Sequence, residues 1–177
     1  MARAGLGRTP VREAVARLEL EGFVTVLPRK GIAIAPVTLR DLQAMCELRV
    51  ELEGLGASLA AERRTPQQQA ALVRLFEPAP GLIARNDLPR LLQLDWDFHT
   101  LLARCTHNPY LEEALARLYA NTLRYWFVSF SRAGHLDEVL AEHDAIVAAV
   151  LGGNSGAARA AMCHHVTRFK EKVIQSL

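Results

Sequence analysis

The sequence has little cysteine: three residues in 177, Cys46, Cys105 and Cys163, at no recurring spacing. An odd, scattered set excludes a disulfide framework and points to a reducing compartment. No apolar run approaches the roughly 20 residues that cross a bilayer. No charged-then-apolar leader opens the chain, so the expectation is a cytoplasmic protein with no membrane partner. Internal repeats and low-complexity tracts are missing. So are a phosphate-cradling glycine loop and a nucleophile motif, and no general base stands out beside the candidate ligands discussed below, so no catalytic residue is assigned. From Thr38 onward no stretch alternates convincingly enough to read as a strand.

What is present is an apolar half, enough for a sizeable core, and a charge that is unevenly spread. Residues 1–40 hold seven basic side chains against three acidic ones, a local +4, while the remainder carries −2. A basic head on a faintly acidic body suits contact with a polyanion. Within the head, TPVREAVARLELE repeats Val11, Val15 and Leu18 at helical spacing, opened by Thr9 as a cap and Pro10 in the first turn. Gly22 then stops the helix. FVTVLPRKGIAIAPV follows as two β-rich runs around Pro28–Gly31, the pattern of a hairpin.

Beyond Thr38 the text is helical. Helices are expected over 38–63, with a soft break near Gly54 and Gly56, and over 65–76, 87–106, 110–131, 135–151 and 155–175. EPAPG (77–81) is expected to be a loop. The fold class is mostly α: a partial winged helix-turn-helix over 1–37, then an antiparallel all-α bundle of about six helices over 38–177.

Two constellations carry chemistry. In the head, Arg8 and Arg12 lie one turn apart, where their forked guanidinium groups suit guanine edges or phosphates. Thr9 could meet a phosphate or a thymine methyl, and Lys30 and Gly31 form the hairpin tip. The same spacing also fits a solvated surface helix. In the body, LDWDFHTLL sets Asp95 one turn before His99 on one helix face. His143 in AEHDAIVAAV and His165 in AAMCHHVTRF also sit among apolar neighbours. Singly, each reads as a core histidine with satisfied ring nitrogens. Together, one carboxylate and three imidazoles form a donor set for a divalent metal: zinc first, with nickel, manganese or iron as alternatives. His164 points about 100° away from His165, so one of the pair faces a pocket. Asp97 and Asp144 face away from the ligands, and His107 and His135 sit near helix ends as solvent-exposed groups.

RTPVREAVARLELEGFV followed by PRKGIAIAPV resembles the recognition helix and wing of the GntR family of transcription regulators. LRVELEGLGASLAAE, DWDFHTLLARCTHNPYL and EHDAIVAAVLGGNSGAARAAMCHHV resemble, in that order, the FCD ligand-binding domain of its FadR subfamily. The resemblance implies DNA contacts at Arg8, Thr9, Arg12, Lys30 and Gly31. It implies metal ligation by Asp95, His99, His143 and His165. It also implies an effector that is a small carboxylate (a hydroxy acid, dicarboxylate or sugar acid), held in part by Arg49, with Asn121 and Arg124 as further candidates. Gly7 stands where the family usually has Ser or Thr. The family places two supporting helices ahead of this helix, so the head reads as N-terminally truncated. The expectation is a homodimeric, effector-responsive repressor of operator DNA. The alternatives are a metal-dependent hydrolase, or a metal- and ligand-binding dimerisation module without DNA binding.

Overall fold

The structure is a computed structural model and describes residues 7–36, 38–130 and 136–176. The chain divides into two compact units, Met1–Thr38 and Leu39–Leu177.

In the first unit, helix α1 (Arg8–Leu20) is followed by strands β1 (Val24–Leu27) and β2 (Gly31–Ile34). The helix starts one residue before Thr9, with Gly7 as a cap that makes no side-chain bond. Thr9 therefore lies in the first turn rather than capping it. Pro10 is tolerated there because the first amides of a helix have no intrahelical acceptor. At the other end Gly22, at φ 78°, makes the left-handed turn. Phe23 N–H donates to Leu18 O (2.8 Å) and Gly22 N–H to Glu19 O (3.0 Å), which satisfies two last-turn carbonyls. The antiparallel register runs from Val24↔Ile34 to Leu27↔Gly31. Arg29 (φ 61°) and Gly31 (φ 103°) bend the tip. Glu19 Oε1 accepts from Val26 N–H at 3.0 Å and fastens helix to strand.

The second unit contains seven helices among the described residues: α2 (Leu39–Arg63), α3 (Pro66–Leu75), α4 (Ala79–Ala84), α5 (Leu88–Cys105), α6 (Pro109–Phe130), α7 (Leu136–Leu151) and α8 (Ser155–Ser176). Polar residues start several of them. Thr65 and Gln68 form a reciprocal capping box on α3. Asp87 accepts from Arg90 N–H on α5, Asn108 from Tyr110 and Leu111 N–H on α6, and Asn154 from Ala157 N–H on α8.

Two expectations are corrected here. The stretch expected to be a loop at 77–81 leads into the short helix α4, because its prolines fall at the cap and in the first turn. The helix α2 runs unbroken through Gly54 and Gly56. Those glycines serve close approach rather than a bend. A Cβ on Gly54 would lie 2.7 Å from Cys163 Sγ and 3.3 Å from Arg159 Cγ of α8, and one on Gly56 would lie 3.4 Å from Leu115 Cδ1 of α6.

Helix α8 lies along α2 in the most extensive helix pairing of the unit, and α5 and α7 also pack against α2. Phe98, Ile146, Val150, Met162, Val166 and Val173 fill the interior between them. No helix among the described residues is long and apolar enough to cross a membrane.

Replacing Gly54 by valine forces α2 off α8. The expected loss is about 1–3 kcal/mol, the usual range for an overpacked core. Thermal unfolding should show it, and adding Cys163→Ala to the same chain should recover part of it. Equal stability of Gly54→Val and the parent chain would contradict the close approach.

Candidate metal centre

Three helices bring the centre together. Helix α5 carries Asp95 and His99 one turn apart, α7 carries His143, and α8 carries His165. All four side chains are buried, and each offers one ligand atom within 4.8 Å of the others. The ring centroids of His143 and His165 stand 4.6 Å apart, and those of His99 and His165 5.5 Å apart. His143 Nε2 lies 3.3 Å from Asp95 Oδ1.

Carboxylates fix two of the histidines from behind. Glu53 Oε2 on α2 lies 2.6 Å from His99 Nδ1. Glu142 Oε2 on α7 lies 2.8 Å from His165 Nδ1. An ionised carboxylate only accepts, so Nδ1 carries the proton in each ring and Nε2 of the neutral ring keeps its lone pair. Each carboxylate is in turn held by a cation: Glu53 by Arg49 Nε, Glu142 by Lys172 Nζ at 3.2 Å. Two cation–carboxylate–imidazole relays thus point at one spot. His143 has no such backing. Its ring lies between Phe76 (5.1 Å, near parallel) and Phe98 (4.4 Å).

The electrostatics follow from burial. Burial pushes Glu53 upward, but Arg49 and His99 override it and hold its carboxyl well below the usual range. Glu142 is also lowered, because bonds to His165 and Lys172 outweigh its burial. Asp95 has no such partners. Burial pushes it up to about 7, against the partial pull of His165 and Arg49. His143 falls well below the ordinary histidine value through burial, with the charges of His165 and His99 adding to it. His165 is lowered by burial, partly offset by its bond to Glu142.

Both carboxylate oxygens of Asp95, Nε2 of His99 and both ring nitrogens of His143 are buried without a hydrogen-bond partner. Leaving such atoms unsatisfied costs about 1–3 kcal/mol each. One nitrogen-rich donor set with a single carboxylate and matching orphan atoms fits a divalent transition metal, which would engage one ligand atom of each residue, including one of the two His143 nitrogens.

His164 is exposed, so His165 is the member of that pair that turns inward. His107 and Asp144 are exposed, and Asp97, half-buried, accepts from Gln93 at 2.9 Å. His135 lies outside the described residues. Arg49, 1% exposed, lies beside the centre with its Nη1 buried and without a partner. Asn121 and Arg124 border neither of the two cavities that flank the centre. The Asn121 amide instead donates to Arg117 O. Arg8, Thr9, Arg12, Lys30 and Gly31 are all exposed on the first unit. Sequence reasoning missed the parts of Glu53 and Glu142. Arg49 and Glu53 stand four apart, which is a readable pairing. By contrast, Glu142 precedes His143 in the chain yet serves His165 on another helix, and only the fold reveals that.

Residues 44–168 match the FCD domain. The chain belongs to the FCD family of GntR transcription regulators. A transcriptional regulator of Agrobacterium vitis, of the HTH type and encoded in the TAR-I ttuE-ttuC' intergenic region, is 38% identical over 104 residues, 57% of this chain and 61% of that one. The repressor GlaR of Escherichia coli is 28% identical over 173 residues, covering 93% of this chain and 78% of its own length. The solved structure of McbR/YncC from E. coli superposes with a TM-score of 0.89 at 23% identity, over 98% of this chain and 83% of that one. This FCD protein thus spans less than two thirds of the Agrobacterium relative. The relatives are regulators rather than enzymes, and the hydrolase alternative is set aside.

The shifts fix a pH dependence for the FCD unit without metal. Asp95 is raised to about 7. In the folded state it therefore keeps a proton that the unfolded chain releases near pH 4. Its contribution to stability is full below that pH and is lost as pH rises towards about 7. The lowered His143 and His165 act in the opposite sense: their contribution is present above about pH 6.5 and is lost as pH falls further. A divalent cation bound at Asp95, zinc being the probe, would displace the Asp95 proton. Calorimetry in two buffers of different ionisation enthalpy should register its release at about pH 6 and lose it at about pH 8. Equal release at both would contradict a protonated Asp95.

Proposed function

We propose that this FCD protein is an effector-responsive transcription repressor. In this reading its helical unit holds a divalent metal, zinc before nickel, manganese or iron, on Asp95, His99, His143 and His165. The observation that carries it is the convergence of four buried ligand atoms within 4.8 Å of one another. The backing of His99 by Glu53 and of His165 by Glu142 supports it, because such partners fix the ring orientation that ligation needs.

Four protein ligands leave one or two positions on a five- or six-coordinate metal, and those would take an oxygen of a small carboxylic acid. The chain supplies the rest of that site. Arg49 keeps Glu53 ionised through Nε and has Nη1 to offer the acid's second oxygen. The surrounding apolar walls exclude water and so strengthen both contacts.

The head supplies the DNA side. Arg8, Thr9 and Arg12 lie at the start of α1, and Lys30 and Gly31 at the hairpin tip, all exposed. This arrangement suits a recognition helix in the major groove and a wing on the backbone. Two such heads in a homodimer would read a palindromic operator in the cytoplasm. The acid would release the operator by binding one arrangement of the dimer better than the other.

Elemental analysis of the purified protein tests the centre. We expect one metal per chain, lost in His143→Ala. In Glu53→Gln the metal should be held about 10–100-fold more weakly, the usual penalty for losing a partner behind a ligand. A chain without metal, or full occupancy in His143→Ala, would sink the reading. For the head, duplexes are selected from a random library by the metal-loaded protein. Arg12→Ala should then weaken binding to the selected duplex by about 1–3 kcal/mol; unchanged affinity would remove Arg12 from the interface.

A further inference from the structure

A cavity of about 240 Å³ opens beside the metal centre, between α2, α5 and α6, and His99 and Glu53 form its inner end. That volume exceeds the roughly 150 Å³ that holds a benzene ring in a protein core. It falls short of the roughly 300–1,000 Å³ of drug-sized pockets. Trp96, Leu102, Ala103, Leu115, Tyr119 and Met162 supply most of its walls. The indole and the phenol stand 5.4 Å apart, at 57° to one another. Gly56 and Ala57 on the opposite side add almost no bulk, which keeps the space open.

The charges of the cavity are informative by position. Among the described residues Arg104 is the one guanidinium on its walls, and its Nε already faces Glu112 Oε1 at 3.3 Å, both side chains being well exposed. Apart from His99 at the metal end and the Tyr119 phenol, the other ionisable walls, Glu53 and Glu112, are acidic and repel an anion. A second carboxylate on the ligand, or a row of hydroxyls, would therefore meet walls made mostly of Leu, Ala, Met and aromatic carbon, with too few groups to pair them all. Away from the metal end, one buried polar group on these walls stands ready for a ligand. The Tyr119 hydroxyl is buried without a partner, and its ring lies 4.5 Å from that of His99.

Building on the metal-site reading, we propose that the effector is a monocarboxylate with an apolar body of about the size of one aromatic ring. The carboxylate lies at the metal centre and the body fills the Trp96–Tyr119 cavity, with room for one hydrogen bond to Tyr119. Dicarboxylates and sugar acids are the wrong class for this chain.

The test uses the zinc-loaded full chain, with phenylacetate and hexanoate as probes of the favoured class and succinate and gluconate as the opposed class. Calorimetry should give phenylacetate or hexanoate at least tenfold tighter binding than succinate or gluconate, with a matching rise in unfolding temperature. Thr100→Phe, at a half-buried wall position, and Ala116→Leu, at an exposed one, fill the cavity from residues that hold no metal. Each should abolish phenylacetate and hexanoate binding while elemental analysis still finds one zinc per chain. Succinate or gluconate binding as tightly as the apolar acids overturns the apolar class, as does the absence of binding by all four. Apolar acids that bind both variants as well as the parent overturn the cavity. A parent chain that takes up no zinc overturns the metal reading itself, and elemental analysis reports that outcome separately.

Discussion

A carboxylate and three imidazoles buried in one apolar interior form the constraint on which the second unit depends. Four side chains that want water or partners have been gathered where there is little of either. The fold answers with Glu53 and Glu142, each anchored by its own cation, for two of the rings. Among the described residues it provides no such partner for Asp95 or His143. The imbalance leaves one carboxyl raised to about 7 and one imidazole well below its ordinary value. A cation at that point would relieve most of the deficit, so the same atoms that weaken the metal-free interior define the candidate centre.

The two relays are built alike but sit differently. Arg49–Glu53–His99 is buried along its length, the arginine and the glutamate one turn apart on α2. Lys172–Glu142–His165 joins α8 to α7 and back, and its outer end reaches the surface, where Glu138 and Arg168 extend the network. Salt in the solvent screens the second far more than the first. His99 is thus held by an interaction insulated from ionic strength, whereas His165 is held by one that responds to it.

Much of this was legible in the sequence. Asp95 and His99 announce themselves by their spacing, and Thr65-Pro66, Asp87 and Asn108-Pro109 mark helix starts that the fold keeps. The hairpin appears where Val, Ile and Thr flank Pro28–Gly31. The misreadings have local causes. Gly54 and Gly56 look like breakers because propensity describes an isolated helix, whereas here they make room for neighbouring helices. EPAPG looks like a loop because two prolines and a glycine favour turns, yet prolines at a cap and in a first turn are compatible with a helix. Thr9 looks like a cap because the true one, Gly7, has no side chain to give it away. Glu142 could not have been paired with His165 from spacing, since the contact depends on how α7 and α8 cross.

The absence of a side chain at Gly54 also has a mechanical meaning. With no compressible layer between α2 and α8 at that level, the two helices are braced like splints, and a displacement of one is imposed on the other. Leu39, where α2 begins, is fourteen positions from Glu53, about 21 Å along a helix that rises roughly 1.5 Å per residue. A tilt of only about 5° pivoting at Glu53 therefore swings that end of α2 by about 2 Å. In the longest helix of the second unit, a small adjustment beside His99 would therefore be felt most at Leu39, its first residue.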